Sequence, residues 1–291
     1  MKPLGLLESI PYLRAYAGQT FVIKVGGDLY ETPRFRDAIA QDVSVLHRLG
    51  IKVVLVHGGG PQLDAAAERL GLKSERVAGR RITSPALRDV AVGVWRGQIS
   101  AGWVVAIHKQ GESAVGLCGG DGNLVEAVRR PNFGEVGDVT SVDCSVLHAV
   151  HSMPAIPVVS PLAMGPDGLL NVNADTVAAE LAIGLGAAKL ILLTTAPGIL
   201  ADVDDPQSVL HWTDLRELSE MTASGALKGG MLPKVDALRK ALSNGVPRVH
   251  VVDGRKPGSL LEEVFTTEGS GTLVVAEADS IPAELLAGAA K

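Results

Sequence analysis

The chain has 291 residues, 46% hydrophobic and only 3% aromatic, with a formal net charge of −5 and a pI near 5.8, which is enough apolar material for one large α/β domain or two closely packed lobes. The acidic balance and the scarcity of aromatics argue against nucleic acid as a partner, because phosphate backbones need a basic field and unpaired bases need stacking platforms. Cys118 and Cys144 lack the short-spaced partners of a structural zinc site, and neither a secretory h-region nor a run of about 18 uninterrupted apolar residues is present, so a reduced, untargeted cytoplasmic protein is expected, with no membrane partner and no metal-ligating cluster.

The opening segment, Leu6 to Tyr16, has apolar residues at helical spacing, Tyr12 among them, and reads as a short amphipathic helix outside the core. Six β-rich runs follow at Thr20 to Val25, Ile51 to Val56, Ile156 to Ser160, Lys189 to Leu193, Val249 to Val252 and Thr272 to Val275. Helical periodicity fills Phe35 to Leu49, Pro61 to Leu70, Ala86 to Lys109, Ala174 to Leu185 and Leu232 to Asn244. This alternation predicts βαβ units and a largely parallel central sheet covered on both faces. Leu124 to Cys144, with Gly134 and Gly137 as turn residues, reads as hairpins that cover a site. Pro154 to Gly168, rich in Pro and Gly, reads as the junction between two lobes. The Ala-rich end, Ala276 to Lys291, reads as a frayed helix or a disordered tail.

Chemistry concentrates just after the strands, where open α/β sheets place their ligands. In Phe21-Val22-Ile23-Lys24-Val25-Gly26-Gly27 a lysine interrupts an apolar strand; either it meets an anion in a buried site or it snorkels from an edge. His57-Gly58-Gly59-Gly60-Pro61-Gln62 ends a strand and opens a helix, a pattern that suits an oxyanion or phosphate cradle or, more simply, a flexible turn. His57 itself is either catalytic or a structural hydrogen-bonding residue. An esterase oxyanion hole also uses such a stretch, but no Gly-x-Ser-x-Gly elbow accompanies it here. Asn171-Val172-Asn173-Ala174-Asp175 precedes a helix; capping explains one of its polar groups, and Asp175 can also organise lysines or a metal–phosphate complex. Lys228-Gly229-Gly230-Met231-Leu232-Pro233-Lys234 places a cation in a helix's first turn, where it is solvated or answered by an anion. Walker A and Gly-x-Gly-x-x-Gly signatures are both missing from the sequence.

In this order and spacing the four motifs resemble the amino-acid kinase family, and within it the acetylglutamate kinase branch, over about Pro11 to Val275. Gly79-Arg80-Arg81-Ile82-Thr83, Gly116 to Gly122 and Val252-Asp253-Gly254-Arg255 are further similar pieces. The resemblance implies a three-layer αβα sandwich with an N-terminal helical extension (1–17), an N-terminal lobe for the acyl amino acid (18–165), a C-terminal lobe for the nucleotide (166–276) and a tail (277–291). It implies a phosphotransferase with a carboxyl group as acceptor, using ATP and Mg2+ to phosphorylate N-acetyl-L-glutamate for arginine biosynthesis. Lys24 and Lys234 are then catalytic and Asp175 holds them. Gly26, Gly27 and Gly230 bind phosphate, and Gly58, Gly59, Arg81 and Asn171 bind the acceptor, although by its own chemistry Arg81 reads as a surface arginine. Asp28, Gly120 and Thr195 depart from the family's usual residues. Carrier-bound aminoadipate or glutamate is an alternative acceptor, and a non-catalytic arginine-binding module is an alternative role. The opening helix resembles that of arginine-sensitive members, which implies a homo-oligomer, dimer or hexamer, and an L-arginine inhibitor site near Tyr12, His250, Glu268 and Gly271.

Overall fold

The computed structural model describes residues 6–77, 80–227 and 229–278, so the first residues of the extension, and the tail from 279 onward, lie outside the described residues. Fourteen strands are described. β1 (Thr20–Val25), β2 (Lys52–His57), β3 (Arg76–Val77), β4 (Arg80–Arg81), β5 (Ala114–Cys118), β6 (Val125–Arg129) and β7 (Gly137–Val142) precede β8 (Ile156–Ser160), β9 (Leu162–Gly165) and β10 (Gly168–Asn171). β11 (Lys189–Thr194), β12 (Trp212–Asp214), β13 (Val249–Asp253) and β14 (Thr272–Val275) complete the set. The helices are α1 (Leu6–Tyr16), α2 (Gly27–Glu31), α3 (Pro33–Arg48), α4 (Gly60–Arg69), α5 (Pro85–Val92), α6 (Ser100–Lys109), α7 (Ser145–Ser152), α8 (Ala174–Gly184), α9 (Leu215–Ala223), α10 (Met231–Ser243) and α11 (Ser259–Phe265).

Eight strands form one sheet in the order β12-β14-β13-β11-β1-β2-β8-β5. Every neighbouring pair is parallel except β13 with β14. The strand residues alternate between two apolar layers, as a sheet buried on both faces requires. Phe21, Ile23, Val53 and Leu55 pack with α3, α4, α6 and α11 on one face. Val22, Val54, Leu190 and Leu192 pack with α7, α8 and α10 on the other. By the same alternation Lys24 falls on the face of Val22, the face covered by α8. A smaller sheet, β10-β9-β6-β7, adds Val125, Ala127, Ala163 and Leu170 to that side, and the expected hairpin is its antiparallel β6–β7 pair.

Three expectations change. The stretch 154–168 is not a linker, because β8 and β9 occupy it and Pro157 lies opposite Val115 within the sheet. A lobe boundary at 165/166 would cut the antiparallel β9–β10 hairpin, whose register runs to Asn171 opposite Leu162. The helix expected over 86–109 is interrupted by a π-helical segment, Gly93–Ile99. Pro85–Lys109 has the length and hydropathy of a membrane-crossing helix, yet it serves as core, with Leu87, Trp95, Ile99, Trp103 and Ile107 buried against the sheet.

Candidate active site

β11, β1, β2 and β8 are adjacent and parallel, so their C-terminal ends form one edge of the sheet. The chain leaves β1 toward β2 on one side and returns through β11 on the other, and it is at such reversals that α/β sheets open a crevice. A cleft of about 500 Å³ lies there, lined by the residues that follow these strands: Gly26 and Gly27, Gly58 to Gly60, Pro161, and Thr194 with Thr195. Among the described residues its lining carries seven cations, Lys24, Arg76, Arg80, Arg81, Arg130, Lys234 and Lys240, against four carboxylates. Such a lining suits a polyanion.

At the centre two lysines share one carboxylate. Lys24 Nζ is 2.8 Å from Asp175 Oδ1 and Lys234 Nζ is 3.3 Å from Asp175 Oδ2. Lys24 and Asp175 are only 5% and 4% exposed, so the pair is held away from water. Burial pulls the Lys24 ammonium below its ordinary value, and the charge of Asp175 works against that fall. Burial alone would raise the Asp175 carboxyl, but the two ammonium groups outweigh it and hold the acid below the usual carboxylate range. Local sequence explains how Asp175 is free to do this. Asn173 caps α8, its side-chain oxygen accepting from the amides of Asp175 (2.8 Å) and Thr176 (3.1 Å). Asp175, in the first turn, then points its carboxylate at Lys24 of β1. Lys234 sits in the first turn of α10, where the helix dipole disfavours a cation, and Asp175 supplies the compensating charge.

The glycine loops are more differentiated than the motifs suggest. The Gly26 amide donates to Leu193 O (3.1 Å) and the Gly58 amide to Val25 O (2.8 Å), continuing the strand ladders. These two amides are therefore not donors for a ligand, which corrects the roles expected of Gly26 and Gly58. No such ladder bond is made by the amides of Gly27 and Gly59, and the two loops touch: a Cβ on Gly27 would lie 3.0 Å from Gly59 Cα. Gly230 is exposed at the α10 N-cap and does not reach the cleft lining, since Gly229, at φ 57°, turns the chain before it. His57 is fully buried and its Nδ1–H donates to Gly58 O at 3.0 Å. Burial lowers its pKa to about 4, so it is a neutral loop anchor.

At the other end of the cleft the side chain of Arg81 is only 8% exposed, unlike a surface arginine, its guanidinium held by both Asp64 oxygens and by Ser74 Oγ. Asn171 Nδ2 donates to Thr83 Oγ1 at 2.9 Å. Gln62 and Trp95, which motif reading did not single out, grip the loop carbonyls. Gln62 Nε2 donates to Gly27 O and Trp95 Nε1 to Gly59 O, both at 2.8 Å. Gln62 had a signal, its place inside the glycine motif; Trp95, 36 residues from its partner, had none.

The second group of candidates lies elsewhere. His250 is buried, with Nδ1 2.6 Å from Glu263 Oε1 and Nε2 2.9 Å from Lys189 Nζ. Glu263 Oε2 also accepts from the amides of Ser270 (2.6 Å) and Gly271 (2.9 Å). Burial, then the neighbouring lysine, lowers His250 to about 4; burial, then Arg248, lowers Lys189 to about 7. The structure thus joins His250 and Gly271 through Glu263, while Glu268 is exposed beyond the end of α11. The inward carboxylate is Glu263 because α11 turns that position toward the core alongside Leu260 and Val264. Tyr12 lies on α1, its ring centroid 6.2 Å from that of Tyr16, and Lys189 Nζ is 5.1 Å from the Tyr16 ring.

The family model described as Amino acid kinase family matches residues 19–253. The acetylglutamate kinase of Myxococcus xanthus is 42% identical over 96% of this chain and 96% of its own length, and that of Moorella thermoacetica 41% identical over 93% and 96%. N-acetylglutamate synthase from Neisseria gonorrhoeae, solved with coenzyme A and N-acetyl-glutamate, superposes with a TM-score of 0.82 at 27% identity. The match covers 94% of this chain but 63% of that one. Carbamate kinase from Giardia lamblia, bound to AMP-PNP, shares the fold, with a TM-score of 0.66 at 19% identity over 90% of this chain and 100% of that one.

Proposed function

The chain belongs to the amino acid kinase family, and on that premise we propose that it transfers the γ-phosphoryl group of ATP to the side-chain carboxylate of N-acetyl-L-glutamate, a step of arginine biosynthesis. The observation that carries the mechanism is the convergence of Lys24 and Lys234 on Asp175 in a cationic cleft. A carboxylate is already an anion at neutral pH, so no general base is needed. One of its oxygens attacks the γ-phosphorus in line, the bond to the β–γ bridging oxygen breaks, and ADP leaves with that electron pair. What the protein must supply is position and positive charge. Lys24 meets the oxygens on the acceptor side and Lys234 those of the nucleotide, while Asp175 keeps the two ammonium groups together. The amides of Gly27 and Gly59 bind the transferring group.

Magnesium fits as a companion of the nucleotide. No cluster of three His, Cys, Asp or Glu able to hold a metal occurs among the described residues, and Asp175 is engaged by two lysines. Mg2+ would be held by phosphate oxygens and water, neutralising charge on the departing ADP. The N-terminal lobe then takes the acyl amino acid and the C-terminal lobe ATP, with the division after residue 171, in the cytoplasm.

ATP consumption measured with N-acetylglutamate, aminoadipate derivatives and carbamate tests the substrate. N-acetylglutamate is expected to be turned over best, and inertness toward it would overturn the reading. Arg81 and Asn171 bind the acceptor's remaining polar groups. In the same assay Arg81→Ala is expected to raise the KM for N-acetylglutamate by about tenfold or more, the range for a lost hydrogen bond to a charged group, with little effect on that for ATP. A selective effect on ATP would place Arg81 at the wrong end.

Regulation by L-arginine belongs to the same reading. α1, which carries Tyr12, lies against α11, which carries Glu263, and a guanidinium suits a carboxylate and loop such as Glu263 forms with His250 and Gly271. Inhibition requires that arginine favour one conformational state. A hexamer whose turnover falls with arginine is expected, and deletion of residues 1–17 should abolish both properties. Sedimentation as a dimer, with turnover indifferent to millimolar arginine, would refute the regulation and leave the kinase assignment standing.

A further inference from the structure

We propose that Trp95 is a positioning residue for phosphoryl transfer: its indole N–H holds the Gly59 carbonyl and thereby turns the amide of Gly60 into the cleft. The inference rests on the kinase reading above for its substrate but not for its geometry. Gly59 O accepts two hydrogen bonds, from Trp95 Nε1 at 2.8 Å and from the Leu63 amide at 3.1 Å, the first bond of α4. Two donors on one oxygen fix the plane of the Gly59–Gly60 peptide. In a planar trans peptide the N–H points opposite to the C=O. The Gly60 amide, at the first position of α4, has no acceptor within its helix and lies in the cleft lining, so it is presented to an anion.

The contact is fitted closely. A Cβ at position 59 would lie 2.4 Å from Trp95 Cδ1 and 2.6 Å from Ile99 Cδ1, so the ring occupies the space that any side chain there would need. Trp95 and Ile99 reach the loop from the π-helical segment Gly93–Ile99, whose extra residue per turn marks a departure from regular winding next to the cleft. The facing loop uses the same device: Gln62 Nε2 holds Gly27 O at 2.8 Å, which turns the amide of Asp28 the other way. Each glycine turn is thus steadied from behind by a side-chain donor. Packing alone would need the bulk of an aromatic ring at position 95 and not its N–H.

Trp95→Phe separates the two roles. With ATP and N-acetylglutamate its kcat is expected to fall by about tenfold or more, while the KM for ATP stays within about twofold. Trp95→His, which keeps a ring N–H, should recover part of the loss. Amide exchange supplies a readout independent of turnover. In the unsubstituted protein the Gly60 amide should exchange freely and become protected when ADP, Mg2+, aluminium fluoride and N-acetylglutamate bind together. If substitution prevents folding, this measurement alone decides. A Gly60 amide that is protected without ligand, or that stays unprotected with the nucleotide mimic bound, overturns the proposal, as does a Phe variant with unchanged kcat. Failure of N-acetylglutamate as a substrate would instead overturn the functional reading and leave nucleotide-dependent protection of Gly60 intact.

Discussion

Lys24→Ala is expected to lower turnover by at least about a hundredfold while leaving a folded protein, and Lys234→Ala to do the same. The size follows from where the charges sit. A cation in a nearly dry site acts through a low dielectric on charge that develops only in the transition state, so its removal appears mainly in kcat. Folding survives because Asp175 is gripped twice. Without Lys24 the buried carboxylate still has Lys234, 3.3 Å away, and does not face the loss of about 3–5 kcal/mol that follows when a buried charge is left with no partner. Steady-state kinetics beside a thermal melt check both halves. Turnover near that of the unsubstituted protein would remove the assigned role from that lysine.

Asp175→Asn is expected to match that loss of about a hundredfold or more and to change the pH profile as well. The amide keeps the size of the side chain but leaves two ammonium groups together without a counter-ion. Asp175 raises the pKa of Lys24 against the lowering effect of burial. Taking that charge away lets the pKa fall further, so the ammonium form is lost at a lower pH. The alkaline limb of kcat should therefore move to lower pH in the variant, and its Mg2+ dependence should change. An unaltered profile with unaltered turnover would return Asp175 to a purely local role at the start of α8.

The legible parts of the molecule were those whose cause is local. Runs such as Phe21 to Val25 announce a doubly buried strand by composition, and the one lysine among them announces its own need for an anion. Asn171, Asn173 and Asp175 announced more polarity than a helix start requires, and the structure divides the labour, with Asn173 capping and Asp175 pairing. The hidden parts depend on partners distant in sequence. Trp95 reads as one more core aromatic until it is seen against a backbone oxygen 36 residues away. Glu263 was passed over for Glu268 because α11 is only 7 residues long, too short for its periodicity to show which acid faces inward. The loop amides followed the same rule. Four glycines look equivalent in the motifs, and only the ladder bonds to Leu193 O and Val25 O reveal that two of them are occupied.

The pairing of β1 with β11 makes the two halves of the main sheet inseparable as materials. Five successive residues, Phe21 to Val25, lie opposite Lys189 to Leu193, so the seam between these halves is a row of backbone hydrogen bonds rather than a tether. The C-terminal half of the chain made on its own would bare β11, an apolar strand with one whole row of amides and carbonyls open. Exposed edges of that kind recruit other strands. Each half would therefore be adhesive without the other, and the nascent chain carries β1 as an open template until the segment that becomes β11 has been synthesised.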